Sequence, residues 1–286
     1  MGLQKKIRVD TSIKKKNAKL NIKYAILQMM FWTCAASAYA YLTQMLQYKG
    51  FTDGQIGVIN AVKLFSTVVF QIIIGVFSDR HAERIQLKYI ISVLTVVALL
   101  LTSVFYEYKL SFVQTVTLFI GFGATFTCIS PLIDSLSIKY MNDGRNINYP
   151  ICRAAGSCAW AVACVLFGVF CDRYDANRLL ILQMLFTAMM LAVLLVMDDT
   201  SSCSDCRALG ARERIAAANI TETRKTEVHT AGYLLTTYPK YRWFLIGSAV
   251  MFMGYNVGTT FLINVFERLG GNNFHYGLAE FVMAVS

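Results

Sequence analysis

Two apolar stretches of the sequence, residues 131–140 and 150–160, each carry an ionisable group on their apolar side, Asp134 in the first and Arg153 in the second. A charge at bilayer depth costs roughly 2.5–3.5 kcal/mol on insertion scales, so each needs a partner, a wet cavity or a route to the headgroups. A carboxylate and a planar guanidinium can together hold several hydroxyl groups. Trp160 follows Arg153 by seven residues and so shares its helical face. Its indole offers an apolar plate to a ring. Lys63 lies inside another apolar run, facing either a cavity or the headgroups, and a later run carries Asn256 and Asn264. The sequence shows no nucleophile–base pair and no phosphate-binding loop. Cys203 and Cys206 form a lone Cys-x-x-Cys in a polar stretch whose one histidine is His229. That is too few ligands for a structural zinc site. No metal, no cofactor and no enzymatic activity is expected.

The elements that must position these groups follow from hydropathy. Of 286 residues, 56 % are hydrophobic and 15 % charged, and the mean hydropathy is +0.49. Soluble domains carry about 25 % charged residues. Apolar runs long enough to cross a bilayer, about 20 residues, fall at 24–46, 55–77, 87–105, 111–138, 150–171, 179–197 and 243–266. An eighth begins near His275, and the sequence stops within it. The third run is apolar all round and is expected to face lipid. The chain therefore divides into a basic tail (1–23), a six-helix bundle (24–197), a polar linker (198–242) and the start of a second bundle (243–286). The expected fold is an all-α membrane protein of about eight helices, truncated within its second half.

Net charge is +10, and its placement is informative. Twenty of the 27 Lys and Arg fall in the tail, the linker and the turns on one face, and five on the other. The positive-inside rule then places the N-terminus and linker in the cytoplasm. The charge thus sets orientation and does not imply nucleic-acid binding. The expected surroundings are a lipid bilayer, the cell membrane, crossed many times by a monomer.

Further motifs give a family likeness. The segment Gly75-Val-Phe-Ser-Asp79-Arg80-His-Ala-Glu-Arg84 resembles the signature turn between the second and third helices of the major facilitator superfamily. An acid on the fourth helix followed by Arg153-x-x-Gly-x-x-x-Trp160 on the fifth resembles the lactose-permease-like branch, the proton symporters of oligosaccharides and nucleosides. Here Asp134 stands where the permease has the longer Glu. Tyr255-Asn256-Val257 and Asn264 are similar to the start of the permease's seventh helix. The resemblance implies a major-facilitator helical bundle and a secondary transporter that moves a small polar solute together with protons. It implies solute contacts for Asp134, Arg153 and Trp160, with Asn256 and Asn264 beside them, and conformational gating for Gly75, Asp79, Arg80 and Arg84; Lys63 joins the solute-binding candidates by its position inside an apolar run. The alternatives are an efflux carrier of the same superfamily and a receptor that binds a solute without moving it.

Overall fold

A computed structural model describes residues 2–81, 84–198 and 237–285, with side chains from residue 15 onward. Most of the polar linker, the Cys203/Cys206 pair, and Ala82 and Glu83 of the signature turn lie outside the described residues.

Every regular element among the described residues is helical. They are α1 (Gly2–Ala35), a π-turn (Ala36–Ala40), α2 (Leu42–Tyr48), α3 (Asp53–Arg80), α4 (Leu87–Glu107), α5 (Phe112–Asn142), α6 (Tyr149–Arg173), a 3-10 turn (Ala176–Arg178), α7 (Leu179–Val196), α8 (Pro239–Arg268) and α9 (Asn273–Val285). Six helical segments are long and apolar enough to span a membrane. The first span makes a seventh if its two pieces, meeting at a 51° bend, are counted as one. The spans expected from hydropathy are therefore present. Most of them extend a few residues beyond the apolar runs at one end or both, because polar caps lie outside the hydrophobic stretch. Thr52 and Gln55 form a capping box at the start of α3, and Ser111 and Gln114 do the same for α5. Each box satisfies amide hydrogens that no helical carbonyl can reach. Asn148 caps α6, with Pro150 in its first turn, where a missing N–H costs nothing.

The first span departs most from expectation. Its helix runs back through the basic tail to Gly2, so the tail continues α1. The π-turn and bend then divide the span into two arms. The lower arm packs in a cluster with α4, α5 and α7 around Leu27, Phe31, Ile91, Phe126, Ile133 and Met190. The upper arm joins a second cluster with Ile56, Phe119, Cys164 and Tyr276.

The α4 helix does not face lipid all round. It buries a stripe of Lys88, Ser92, Thr95, Ala98 and Thr102, against α5 and α7. Each hydroxyl bonds the carbonyl one turn earlier, as in Thr95 Oγ1 to the Ile91 oxygen at 2.8 Å. A satisfied small side chain lets helices approach closely, which is what packs them within lipid. The opposite face, including Val93, Val97 and Leu100, is exposed.

Close approach also fixes α5 on α3. A Cβ at Gly123 would collide with the Lys63 carbonyl, and Ser66 and Thr67 donate hydrogen bonds to Ile120 and Gly123 oxygens of α5. The α6–α9 pair is similar: a Cβ at Gly277 would strike the Cys164 carbonyl. Polar contacts between the first seven helices and α8–α9 gather at one end, opposite the basic tail. There Gln47 donates to Asp53 (3.0 Å) and Asn264 (3.1 Å), and Asn264 donates to Asp53 (3.1 Å). Gln44 meets Asn273. Both oxygens of Asp172 accept backbone N–H groups of Asn273 and Phe274, at 3.0 and 3.1 Å. At the tail end the first half of α8, from Pro239 to Met253, is exposed throughout.

Candidate solute-binding cavity

Between the first bundle and α8–α9 lies a cavity of about 500 Å³. Helix α1 brings Trp32 to its wall and the π-turn brings Tyr39, α3 brings Asn60 and Lys63, α5 Thr127, and α6 Arg153 and Trp160. Asn256, Tyr276 and Glu280 close it from α8 and α9. The seven-residue spacing of Arg153 and Trp160 does put both on one wall. Trp160 meets Trp32 edge to face with ring centroids 5.9 Å apart, and the Tyr39 ring lies 6.5 Å from Trp160. The Arg153 guanidinium sits over the Trp32 ring, 4.1 Å from its centroid, and donates to Ser157 Oγ at 3.3 Å. Cation–π stacking of this kind holds the guanidinium flat against the wall. Gly156, one turn past Arg153, leaves room for Trp32, whose ring a Cβ there would strike.

Lys63 faces the cavity and is only 3 % exposed. It does not reach for the headgroups. Glu280, 6 % exposed, accepts a hydrogen bond from Tyr276 at 3.0 Å, and the same phenol lies 2.9 Å from the Ala40 oxygen. Asn60 donates to Thr260 Oγ1 at 3.0 Å, tying α3 to α8 at the cavity wall.

Two expected contact residues stand elsewhere. Asp134 does not line the cavity. Its Oδ1 accepts from Gln28 Nε2 at 3.1 Å, and Gln28 Oε1 accepts from the Trp32 indole N–H at 3.1 Å. Asp134 thus reaches the cavity wall through Gln28. Among the described residues no ion pair joins it to Arg153, and Tyr149 lies between the two, within electrostatic reach of both. Asn264 belongs to the polar cluster at the end opposite the tail, in a separate cleft with Gln47, Asp53, Glu267 and Arg268. Of the expected gating residues, Asp79 and Arg80 are exposed at the tail end of α3, and Arg84 follows in the turn. Gly75 has open space where a Cβ would stand, so no helix is packed against it here. The Gly254 and Gly258 pair is equally open.

Trp32, Tyr39 and Glu280 were not anticipated, although the sequence holds signals for them. Trp32 and Tyr39 are seven apart in the first span, and Glu280 is the one acid in its apolar helix. Among the described residues no cluster of three or more His, Cys, Asp or Glu is placed to hold a metal ion.

An all-helical, multi-pass bundle with a polar cavity between two groups of helices has the build of the major facilitator superfamily of membrane transport proteins. The chain belongs to this group: the MFS_1 like family matches residues 21–286. Its fold is similar to that of a solved nucleoside transporter, NupG, in its D323A form. The TM-score is 0.68 at 13 % identity, covering 93 % of this chain and 64 % of that one. The chain thus spans a little under two thirds of that transporter's length. No curated protein matches the sequence.

Proposed function

We propose that the protein is a secondary active transporter of the cell membrane. It moves a small polar solute, of the sugar, oligosaccharide or nucleoside kind, by alternating access coupled to protons. The observation that carries this reading is the cavity. At about 500 Å³ it suits one small molecule, since such sites run from about 300 to 1,000 Å³. Trp32 and Trp160 provide apolar faces for a ring, and Arg153, Asn60 and Asn256 provide hydrogen-bonding groups around it. The carboxyl group of Glu280 supplies the cavity with a group able to take up and release a proton.

Contacts between the two groups of helices at the end opposite the tail support a molecule open toward the tail. With the tail in the cytoplasm, as its positive charge favours, this is the inward-open state. Asp79, Arg80 and Arg84, with Gly75 before them, would then meet the second half when that end closes. The open space at Gly75 fits this reading.

The test is uptake of labelled uridine and of labelled lactose into proteoliposomes with an imposed pH gradient. Uptake that collapses on adding a protonophore supports the proposal. Saturable binding without uptake would replace it with a receptor that does not move its ligand.

A further inference from the structure

Lys63 is eleven residues into the 28-residue α3, about 15 Å along the helix from its start and further from its end. Its ammonium cannot reach either membrane surface, and it is 3 % exposed. The α3–α5 contact at Gly123 holds its backbone in place. Among the described residues, no carboxylate lies within 4.0 Å of Nζ and no acceptor within hydrogen-bonding distance. Its one polar-type contact there is the Tyr39 ring, 5.3 Å from Nζ. Glu280, across the cavity, is engaged by Tyr276 and pairs with neither Lys63 nor Arg153. On α5, Thr127 Oγ1 is buried beside the Tyr39 hydroxyl and lines the same cavity. Arg153 donates to Ser157, lies on Trp32 and meets the Tyr149 hydroxyl, and its five N–H groups still exceed these partners.

A buried ammonium without an acceptor is costly, and a hydroxyl only partly relieves it, because a hydroxyl brings no opposite charge. We infer that the transported solute carries an oxyanion, a carboxylate or phosphate, which seats against Lys63, with Arg153 and Thr127 at hand and its ring against Trp160. Among the described residues, two cations (Lys63 and Arg153) and one acid (Glu280) line the wall, which leaves it net positive and suited to an anion. This rests on the reading of the cavity as the solute site and narrows the solute to an acidic member of its class.

The experiment compares matched neutral and acidic probes on the full protein purified in detergent: uridine against uridine 5′-monophosphate, and galactose against galacturonate. Binding is read from tryptophan fluorescence and thermal shift. The acidic member of at least one pair is expected to bind about ten- to hundredfold tighter, the range for a charge-assisted hydrogen bond. Lys63→Met should bring the two members of that pair together, and Lys63→Arg should keep them apart. Equal or tighter binding of the neutral member in every pair that binds would overturn the inference and leave the cavity as a solute site. A preference that survives Lys63→Met would overturn it as well. Absence of binding by all four probes would remove both the inference and the cavity reading beneath it.

Discussion

Asp134 allows a sharp test, because the structure gives it a role at one remove from the solute. Its carboxylate oxygen fixes Gln28, and Gln28 fixes the Trp32 indole on which Arg153 lies. Asp134→Asn keeps an amide oxygen able to accept the same bond. Asp134→Leu leaves one N–H of Gln28, a residue 2 % exposed, without that acceptor, while the other still meets the Tyr24 hydroxyl at 3.0 Å. An orphaned buried donor costs about 1–3 kcal/mol of stability. Freeing the indole adds about 0.5–1.5 kcal/mol to the ordering cost of binding, hence roughly two- to tenfold weaker affinity. The assay uses a protein that keeps Trp32 alone of its three tryptophans, with Trp160→Phe and Trp243→Phe. Its emission should be unchanged by Asp134→Asn and altered by both Asp134→Leu and Gln28→Leu. Ligand titrations in the three-tryptophan background should rank the variants in the same order. If Asp134→Asn weakens binding as much as Asp134→Leu, the negative charge itself touches the solute and the relay through Gln28 is refuted.

Three further outcomes are expected. Gly277→Val drives a side chain into the Cys164 carbonyl, which backbone cannot easily vacate; it should cost about 1–3 kcal/mol and expose Cys164 to maleimide. Wild-type melting with Cys164 still protected would count against that packing. Asp172→Ala removes both acceptors at the start of α9 and should lower stability by about 1 kcal/mol, with Asp172→Asn losing less, as thermal unfolding would reveal. Asp79→Asn should slow transport in reconstituted vesicles while equilibrium affinity stays near wild type; a large affinity loss would place Asp79 at the solute.

How much could be read from the chain depends on the distance over which each feature is decided. The spans were legible because lipid selects apolar length locally, and Arg153 with Trp160 because seven residues along one helix share a face. Hidden features are set by partners far along the sequence. Asp134 looked like a cavity acid until Gln28, 106 positions earlier, was found on its oxygen. Asn264 looked like a contact residue until Gln47 and Asp53 claimed it. Gly75 and Gly123 are alike as sequence, but only Gly123 has a helix lying against it. The buried stripe of α4 was legible in principle, since Ser92, Thr95 and Thr102 recur at helical spacing. High mean hydropathy masked it.

The π-turn at Ala36–Ala40 bears on how this helix can be compared with others. A π-turn holds one residue more than an α-turn, which rotates all that follows by about 100°. A helical wheel drawn from Gln28 onward therefore assigns Thr43, Gln44 and Gln47 to the wrong sector. Any alignment with a first span that is α-helical throughout needs a one-residue gap within 36–40. Without it, residues that clasp the far end would be equated with apolar core neighbours such as Leu42, Met45 and Leu46.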